Sequence, residues 1–138
     1  NEGADGPGSG AVIYGIGTDV VEIARVEKAL ARWGERFAER ILCEPELARF
    51  RNHKQPVAYL AKRFAAKEAF TKALGTGIRA PANWHGVWVV NRPSGKPELE
   101  FSRELGLLLS ARRIARSHLT LTDERGVAVA TVILECAG

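Results

Sequence analysis

The chain has 138 residues, of which 46% are hydrophobic and 26% charged, and its formal net charge is +4. Such a composition is typical of one ordinary globular domain, and so modest a charge does not by itself indicate a nucleic-acid partner. The apolar runs are all shorter than the roughly 20 residues that a membrane-spanning helix needs, so we expect no membrane span.

The first ten residues, NEGADGPGSG, do not have the pattern of a signal peptide. We interpret residues 1–10 as a disordered lead or a cloning remnant, which leaves residues 11–138 as a single domain. Cys43 and Cys136 are far apart in the sequence, and the cysteines and histidines do not have the spacing of a zinc site. We therefore expect reduced thiols in a cytoplasmic protein.

Residues 11–21 (AVIYGIGTDVV) predict a strand, in which Gly15 and Gly17 indicate a bulge or a close backbone approach. Asp19 lies near the end of this strand and, taken alone, is interpreted as the N-cap of the next helix. That helix is predicted over residues 22–33, where apolar residues recur at every third or fourth position. They are Ile23, Val26, Leu30 and Trp33.

Basic side chains lie on a neighbouring face of the same predicted helix. They are Arg25, Lys28 and Arg32, with Arg36 and Arg40 extending the series if the helix resumes after Gly34. A solvated face is the ordinary explanation of such a series. A docking surface for an acidic partner is the other, because clustered positive charge attracts acidic surfaces.

The central segment, residues 56–74, consists almost entirely of helix formers, without an internal glycine or proline. Pro56 suits the first turn and Gly75 the position after the last turn, so the segment predicts one long helix. Its apolar residues lie on two sides, which indicates burial. Glu68 falls on one apolar face, with Lys72 one turn beyond it. Because a buried carboxylate needs compensation, Glu68 is either half of a partly exposed pair with Lys72 or a metal ligand.

The remaining segments predict two hairpins and two shorter helices. A helix is expected over 44–52 and another over 103–115, and strands are expected over 87–91, 97–101, 119–121 and 127–134. Lys96 lies in the first hairpin turn, and His118 stands at the entrance to the second hairpin. This order predicts an α+β fold, with an antiparallel sheet packed on the long central helix and shorter helices. Motifs for dinucleotides, P-loops and serine nucleophiles are absent from the sequence.

The loop Gly75-Thr76-Gly77 follows the central helix. A small and flexible loop of this kind lets backbone N–H groups approach phosphate oxygens. The same residues are also an ordinary way for a helix to end. Both interpretations stay open on the local sequence.

Three segments resemble one known family: GIGTDVVEI at 15–23, RFAAKEAFTKALGTGI at 63–78 and SGKP at 94–97. They are similar to the short bacterial class of 4′-phosphopantetheinyl transferases, the holo-acyl-carrier-protein synthases. The similarity runs in order from Val12 to Glu135. One departure is Asp123, which stands where many members of the wider superfamily have a histidine.

The resemblance implies a transfer of 4′-phosphopantetheine from coenzyme A to a serine of apo-acyl carrier protein, with release of 3′,5′-ADP. Asp19 and Glu68 would hold Mg²⁺, which prefers one or two carboxylates together with waters and phosphate oxygens. Glu68 or a metal-bound water would take the serine proton. Lys72 would contact the transferring phosphate or keep Glu68 ionised. By this resemblance Asp19, Glu68 and Lys72 are the catalytic residues.

The resemblance also implies binding residues and an assembly. Coenzyme A would contact Arg63, Lys72, Gly75, Thr76, Gly77, Lys96, Pro97 and His118. The family implies a homotrimer with sites between subunits. Because Asp19 is only six residues before Arg25, we expect the acidic carrier to dock on Arg25, Lys28, Arg32 and Arg36.

Two other functions are compatible with parts of the sequence. The first is the same transfer to a polyketide or peptide-synthesis carrier. The second is a non-enzymatic basic module that binds acidic proteins or RNA. Proteins that read RNA usually present aromatic side chains on an open sheet, whereas the ten aromatic residues here are scattered. Such a module would also have no use for a buried Glu68, so we expect neither nucleic acid nor membrane as a partner.

Overall fold

The computed structural model describes residues 12–137, and residues 1–10, interpreted above as a lead, lie outside that range. The described part is an α+β domain, as predicted. Its elements are β1 (Val12–Glu22), α1 (Ile23–Trp33), α2 (Glu35–Ile41), α3 (Glu44–Asn52), α4 (Pro56–Leu74), β2 (Val87–Asn91), β3 (Pro97–Phe101), α5 (Arg103–Ala111), β4 (Ile114–Glu124) and β5 (Val127–Cys136).

The strands form two antiparallel sheets. The larger one has three strands in the order β1-β5-β4, and β2 and β3 form a separate two-stranded hairpin. In the large sheet Asp19 pairs with Ala130 of β5, which in turn pairs with Leu121 of β4. Within residues 12–137, every helix is too short or too polar to cross a membrane.

Helix α4 is the centre of the domain and has the bounds that its sequence predicts. Ala65, Ala66, Ala69 and Phe70 are completely buried, and the predicted burial on two sides is confirmed. On one side the helix packs with the large sheet, the hairpin and α5, and on the other with α1, α2 and α3. Burying one side chain such as Phe70 contributes about 2–3 kcal/mol to stability.

Two glycines let β1 lie directly against α4. A Cβ atom added to Gly15 would lie 2.0 Å from the carbonyl oxygen of Ala73, and one added to Gly17 would lie 2.0 Å from the carbonyl oxygen of Ala69. The pairing of β1 with β5 also shifts register between Ile13 and Gly15. Both the bulge and the close backbone approach predicted from these glycines are therefore present.

The prediction for the first helix needs two small corrections. Glu22 is the last residue of β1, so α1 starts one residue later than predicted. The helix does resume after Gly34, but as the separate α2, because Gly34 has a φ of +66° that interrupts helical geometry.

The predicted helix over 103–115 is wrong at its end. Helix α5 stops at Ala111, and Arg113 has a φ of +62°, after which Ile114 already pairs with Cys136 of β5. The local helix preference of this basic segment is overridden by pairing with β5. As a result β4 has 11 residues, and His118 lies within the strand rather than at the hairpin's entrance.

Candidate active site

A cleft of about 520 Å³ lies where the end of β1 passes the middle of α4. Asp19, Glu68 and Lys72 line it together, so the structure brings together the three residues predicted to be catalytic. Alternate residues of a strand share a face, and Gly15 and Gly17 face α4. Asp19 is the next residue in that series. The close contact of Gly15 and Gly17 with α4 therefore also brings the carboxylate of Asp19 to the helix.

Lys72 contacts Asp19 rather than Glu68. Its Nζ donates to Asp19 Oδ1 and to the carbonyl oxygen of Thr18, both at 3.0 Å. Within residues 12–137 the structure has no ion pair between Glu68 and Lys72, so that interpretation of Glu68 is wrong. The N-cap interpretation of Asp19 is also wrong, because α1 starts after Glu22 and lacks a side-chain cap.

Glu68 is half-buried, and its charge is only partly compensated. Burial raises the pKa of Glu68, and the nearby negative charge of Asp19 raises it further, while Lys72 acts in the opposite direction. In the cleft, Asp19 and Glu68 therefore share the ammonium group of Lys72. Such a cleft gains electrostatic stabilisation from an additional cation.

The donor set of the cleft fits a cation that takes few protein ligands. No group of three or more His, Cys, Asp and Glu side chains that could hold a metal ion occurs in the part of the chain that the structure describes. Among the described residues, the protein therefore does not provide a complete ligand shell for a metal ion. Mg²⁺ is commonly bound by one or two carboxylates and completes its shell with waters and phosphate oxygens. Asp19 and Glu68 provide that number of carboxylates.

The lining of the cleft also includes one arginine and two aromatic residues. They are Arg25 of α1, Phe37 of α2 and Phe64 of α4. The two phenylalanines were not among the predicted site residues. Phe64 precedes Glu68 by one helical turn, and this spacing was the signal that could have identified it. Phe37 is far from α4 in sequence and could not be placed without the fold.

A second cleft of about 420 Å³ adjoins the first, since Phe37 lines both. Trp33, Arg36 and Arg40 complete its lining. Of the predicted carrier-binding residues, Arg25 and Arg36 therefore lie on these two clefts. Lys28 and Arg32 are exposed and line neither of them, and the Arg32 guanidinium lies 4.9 Å from the centre of the Trp33 ring.

The loop after α4 uses its backbone N–H groups to cap the helix. The N–H groups of Gly75, Thr76 and Gly77 lie 2.8, 3.1 and 3.4 Å from the carbonyl oxygen of Thr71 and donate to it. The idea that these N–H groups are free for phosphate oxygens is not supported in this arrangement. The ordinary helix end, which was the other interpretation, is present.

The other predicted coenzyme contacts lie away from the Asp19–Glu68 cleft of the same chain. Arg63 is buried, and this burial lowers its pKa. Its side chain donates to Asn91 Oδ1 at 2.9 Å, and its guanidinium lies 4.0 Å from the centre of the Tyr59 ring. Lys96 and Pro97 lie at the β2–β3 turn, where Lys96 is exposed. His118 Nε2 is 2.7 Å from Glu135 Oε1 on the large sheet.

Comparison with known proteins identifies the family of the chain. Residues 15–132 match the model of the family described as the 4′-phosphopantetheinyl transferase superfamily. A Vibrio parahaemolyticus protein named holo-[acyl-carrier-protein] synthase is 53% identical over 123 residues, which are 89% of this chain and 98% of the relative.

Two solved structures extend the comparison. The holo-[acyl-carrier-protein] synthase of Neisseria meningitidis has a TM-score of 0.87 and 42% identity, covering 89% of this chain and 98% of that one. A holo-(acyl-carrier-protein) synthase from Bacillus anthracis, solved in complex with CoA (3′,5′-ADP), has a TM-score of 0.76 and 37% identity, covering 90% of this chain and 97% of that one. On this evidence the chain belongs to the 4′-phosphopantetheinyl transferase superfamily.

Proposed function

We propose that this protein is a Mg²⁺-dependent holo-acyl-carrier-protein synthase of the cytoplasm, acting in fatty acid synthesis. It transfers 4′-phosphopantetheine from coenzyme A to a serine of apo-acyl carrier protein and releases 3′,5′-ADP. The observation that carries the proposal is the cleft that joins Asp19, Glu68 and Lys72 in a chain similar to enzymes with this name.

Asp19 and Glu68 would hold the metal ion. When bound, Mg²⁺ supplies charge that positions the pyrophosphate of the coenzyme and offsets the negative charge developing on the leaving group. The two side chains come from different elements, β1 and α4, so the site depends on the close packing of those elements.

Glu68 is the side chain best suited to take the proton of the carrier serine, directly or through a bound water. A general base works best when its pKa is moved toward the operating pH, and the pKa of Glu68 is raised by burial and by Asp19. The carrier brings its own hydroxyl nucleophile, so a nucleophilic residue of the protein is not required.

Lys72 is suited to the phosphate because it can change partners. Its side chain is 53% exposed, whereas that of Asp19 is only 15% exposed. An ammonium group on an exposed stem gives up an ion pair at little cost. Lys72 would therefore move from Asp19 to an oxygen of the transferring phosphate, where it stabilises negative charge.

The separation of the coenzyme residues supports sites shared between subunits. The outer face of the large sheet exposes Ile16 and Val20 of β1, which are 58% and 59% exposed, next to Ile133 and Val129 of β5. An apolar sheet face of this kind is normally covered. His118 pairs with Ile133 on this sheet. We propose a homotrimer, with His118 of one subunit contributing to a neighbouring subunit's site.

The carrier would dock along the two clefts that share Phe37. Arg25 lies beside Asp19 and Glu68, and Arg36 lies on the adjoining cleft. An acidic helix placed along these arginines brings its serine to the carboxylates. The loop 75–77 with Arg63, Lys96 and Pro97 stays proposed for coenzyme A, through side-chain, Cα and carbonyl contacts rather than the capped N–H groups.

Mass spectrometry of an apo-carrier incubated with the protein, coenzyme A and Mg²⁺ tests the function. We expect the carrier mass to increase by one phosphopantetheine group and EDTA to prevent the increase. Parallel reactions with a fatty-acid carrier and with polyketide and peptide-synthesis carriers identify the preferred substrate. An unchanged mass for all of them, with binding retained, would instead indicate a non-enzymatic module.

A further inference from the structure

A second lysine–carboxylate pair, Lys67 and Glu46, lies in the interior beside the site. The two side chains are 0% and 2% exposed. Lys67 Nζ donates to Glu46 Oε1 at 2.7 Å and to the carbonyl oxygens of Ile41 and Trp84 at 2.6 and 2.8 Å. Three oxygen acceptors match the three N–H donors of an ammonium group, so Lys67 is fully satisfied, and Cys43 Sγ lies 3.9 Å from the same Nζ.

The Glu46 carboxylate extends these contacts to two more segments. Its Oε1 also accepts from the backbone N–H of Cys43 at 2.9 Å, and its Oε2 accepts from that of Val89 at 2.8 Å. The pair thus joins the last residue of α2, the start of α3, the middle of α4, the segment before β2, and β2 itself. Four of these five segments are remote from Glu68 in the sequence.

These segments carry residues proposed to bind the carrier, to bind coenzyme A or to take part in the transfer. Helix α2 carries Arg36 and Phe37 of the carrier clefts. Strand β2 leads into the turn that contains Lys96. Helix α4 carries Glu68, the residue directly after Lys67. The buried pair therefore connects α2, the β2–β3 hairpin and the segment of α4 that carries Glu68.

The pair also determines how α4 is rotated. Successive residues of a helix are about 100° apart, so Glu68 lies about 100° from Lys67, while Ala69 and Ala73 lie on the opposite side. Those alanines contact Gly17 and Gly15 of β1. Helix α4 is consequently held from two sides, by β1 and by the buried pair. Glu68 points between them into the cleft.

We infer that Lys67 and Glu46 are positioning residues for the transfer: they hold Glu68 in register with the carrier and coenzyme surfaces. This inference rests on the proposed role of Glu68. A buried ion pair adds little stability over apolar side chains of similar size, but its hydrogen bonds have fixed directions. Fixed direction matters here because a displacement of about 1 Å at a reacting group can lower a rate about 100-fold.

The test replaces the pair without leaving an orphan charge. The double variant Lys67→Met with Glu46→Gln removes both charges and keeps an amide oxygen for Cys43 or Val89. We expect the folded variant to lose at least ten-fold in kcat, with the KM for the carrier changed less than three-fold. The reason is that the exposed docking residues are unchanged, whereas the Glu68 carboxylate is displaced. Amide hydrogen exchange should also become faster at Cys43 or at Val89, whichever of the two loses its acceptor.

A matched control separates positioning from stability. Leu105 of α5 is completely buried and lies outside both clefts, so Leu105→Ala destabilises the fold without touching the site. All proteins are assayed at one temperature, at which even the least stable of them is folded. We expect wild-type kcat for Leu105→Ala. If the control and the double variant lose kcat equally, the pair is only structural and the inference is wrong.

Two further variants keep the outcome unambiguous. If the double variant does not fold, Glu46→Asp replaces it, because it keeps the charge opposite Lys67 but shortens the side chain by one methylene group, and we expect at least a three-fold loss of kcat. Wild-type kcat in either folded variant overturns the inference. Glu68→Gln is assayed alongside. If Glu68→Gln retains activity, the proposed role of Glu68 is wrong. If Glu68→Gln is inactive but the variants of the buried pair are fully active, only the inference about the pair is wrong.

Discussion

Helix α4 carries two lysines five residues apart, each paired with a carboxylate of another element, and the surroundings of the two pairs differ completely. Lys67 and Glu46 are buried, and each charged atom of the pair has its hydrogen-bond partners within the domain. Lys72 and Asp19 lie at an open cleft, and Glu68 beside them is only partly compensated. A saturated buried pair holds a structure in place, whereas an open pair can exchange its partners. We therefore assign position to the first and chemistry to the second.

The largest expected effect comes from removing the negative charge of Asp19 from the open pair. Asp19→Asn keeps the shape of the side chain but removes the charge proposed to hold Mg²⁺. We expect at least a 100-fold loss of kcat/KM at saturating Mg²⁺, because an amide is a much weaker Mg²⁺ ligand than a carboxylate. Circular dichroism and thermal unfolding check that the fold is unchanged. Activity close to wild type would contradict the metal assignment.

A second prediction breaks the contact that creates the cleft. Gly17→Ala places a Cβ atom 2.0 Å from the carbonyl oxygen of Ala69, so β1 must move away from α4. We expect a loss of about 1–3 kcal/mol in the free energy of unfolding, together with a loss of activity. Urea unfolding measures the first quantity.

Gly106→Ala is the matched control for this substitution. Gly106 lies within α5, and a Cβ atom there meets no other atom within 4 Å. We expect this change to stabilise the protein by about 0.5–1 kcal/mol, because alanine favours a helix. If both glycine variants have the same stability, the proposed close contact of β1 with α4 at Gly17 is contradicted.

A third, smaller effect tests the carrier surface. Arg25→Glu, alone or with Arg36→Glu, should raise the KM for the carrier by about five-fold or more, since one exposed charge contact contributes about 1 kcal/mol and reversal adds repulsion. The salt dependence of that KM should weaken, and the KM for coenzyme A should change little.

Lys28→Glu makes the same change of charge on the same helix but away from both clefts. It should raise the KM for the carrier less than Arg25→Glu does. Equal effects would mean that the net charge of the helix, rather than the cleft, attracts the carrier. An equal rise in the KM for coenzyme A would assign the arginines to the nucleotide.

The smallest expected effect is on the pH dependence of stability. The pKa of Glu68 in the folded protein is raised, so this group destabilises the fold once it ionises. In the absence of divalent cations, the wild type should lose stability relative to Glu68→Gln as pH rises from the ordinary glutamate pKa through the raised one. Below that window the two proteins should have the same pH dependence. Denaturant unfolding at a series of pH values checks this, and a rising difference in favour of the wild type would contradict it.

The sequence predicted the parts of the fold that depend on local signals. Pro56 and Gly75 mark the ends of α4 correctly, and Gly15 and Gly17 predicted a bulge or a close backbone approach in β1, although not which element it would approach. The end of α5 was missed because pairing of Ile114 with Cys136 depends on a strand more than 20 residues away.

The three residues predicted to be catalytic line one cleft, but their contacts and the phenylalanines beside them were not predicted. Asp19, Glu68 and Lys72 were identified, yet the partner of Lys72 was wrong, because helical spacing favours Glu68 and only the packing of β1 offers Asp19. The pair of Lys67 and Glu46 was not predicted at all. A lysine between an alanine and a glutamate on a helix looks exposed, and its three acceptors come from distant segments.

The most direct test of the central claim compares two proteins in one measurement. Apo-carrier, coenzyme A and Mg²⁺ are incubated with the wild type or with Glu68→Gln, and the carrier mass is followed over time. We predict full conversion to the phosphopantetheine-bearing carrier by the wild type, and at least a 100-fold slower conversion by a folded Glu68→Gln. Conversion by Glu68→Gln at the wild-type rate would contradict the assignment of the reaction to this cleft.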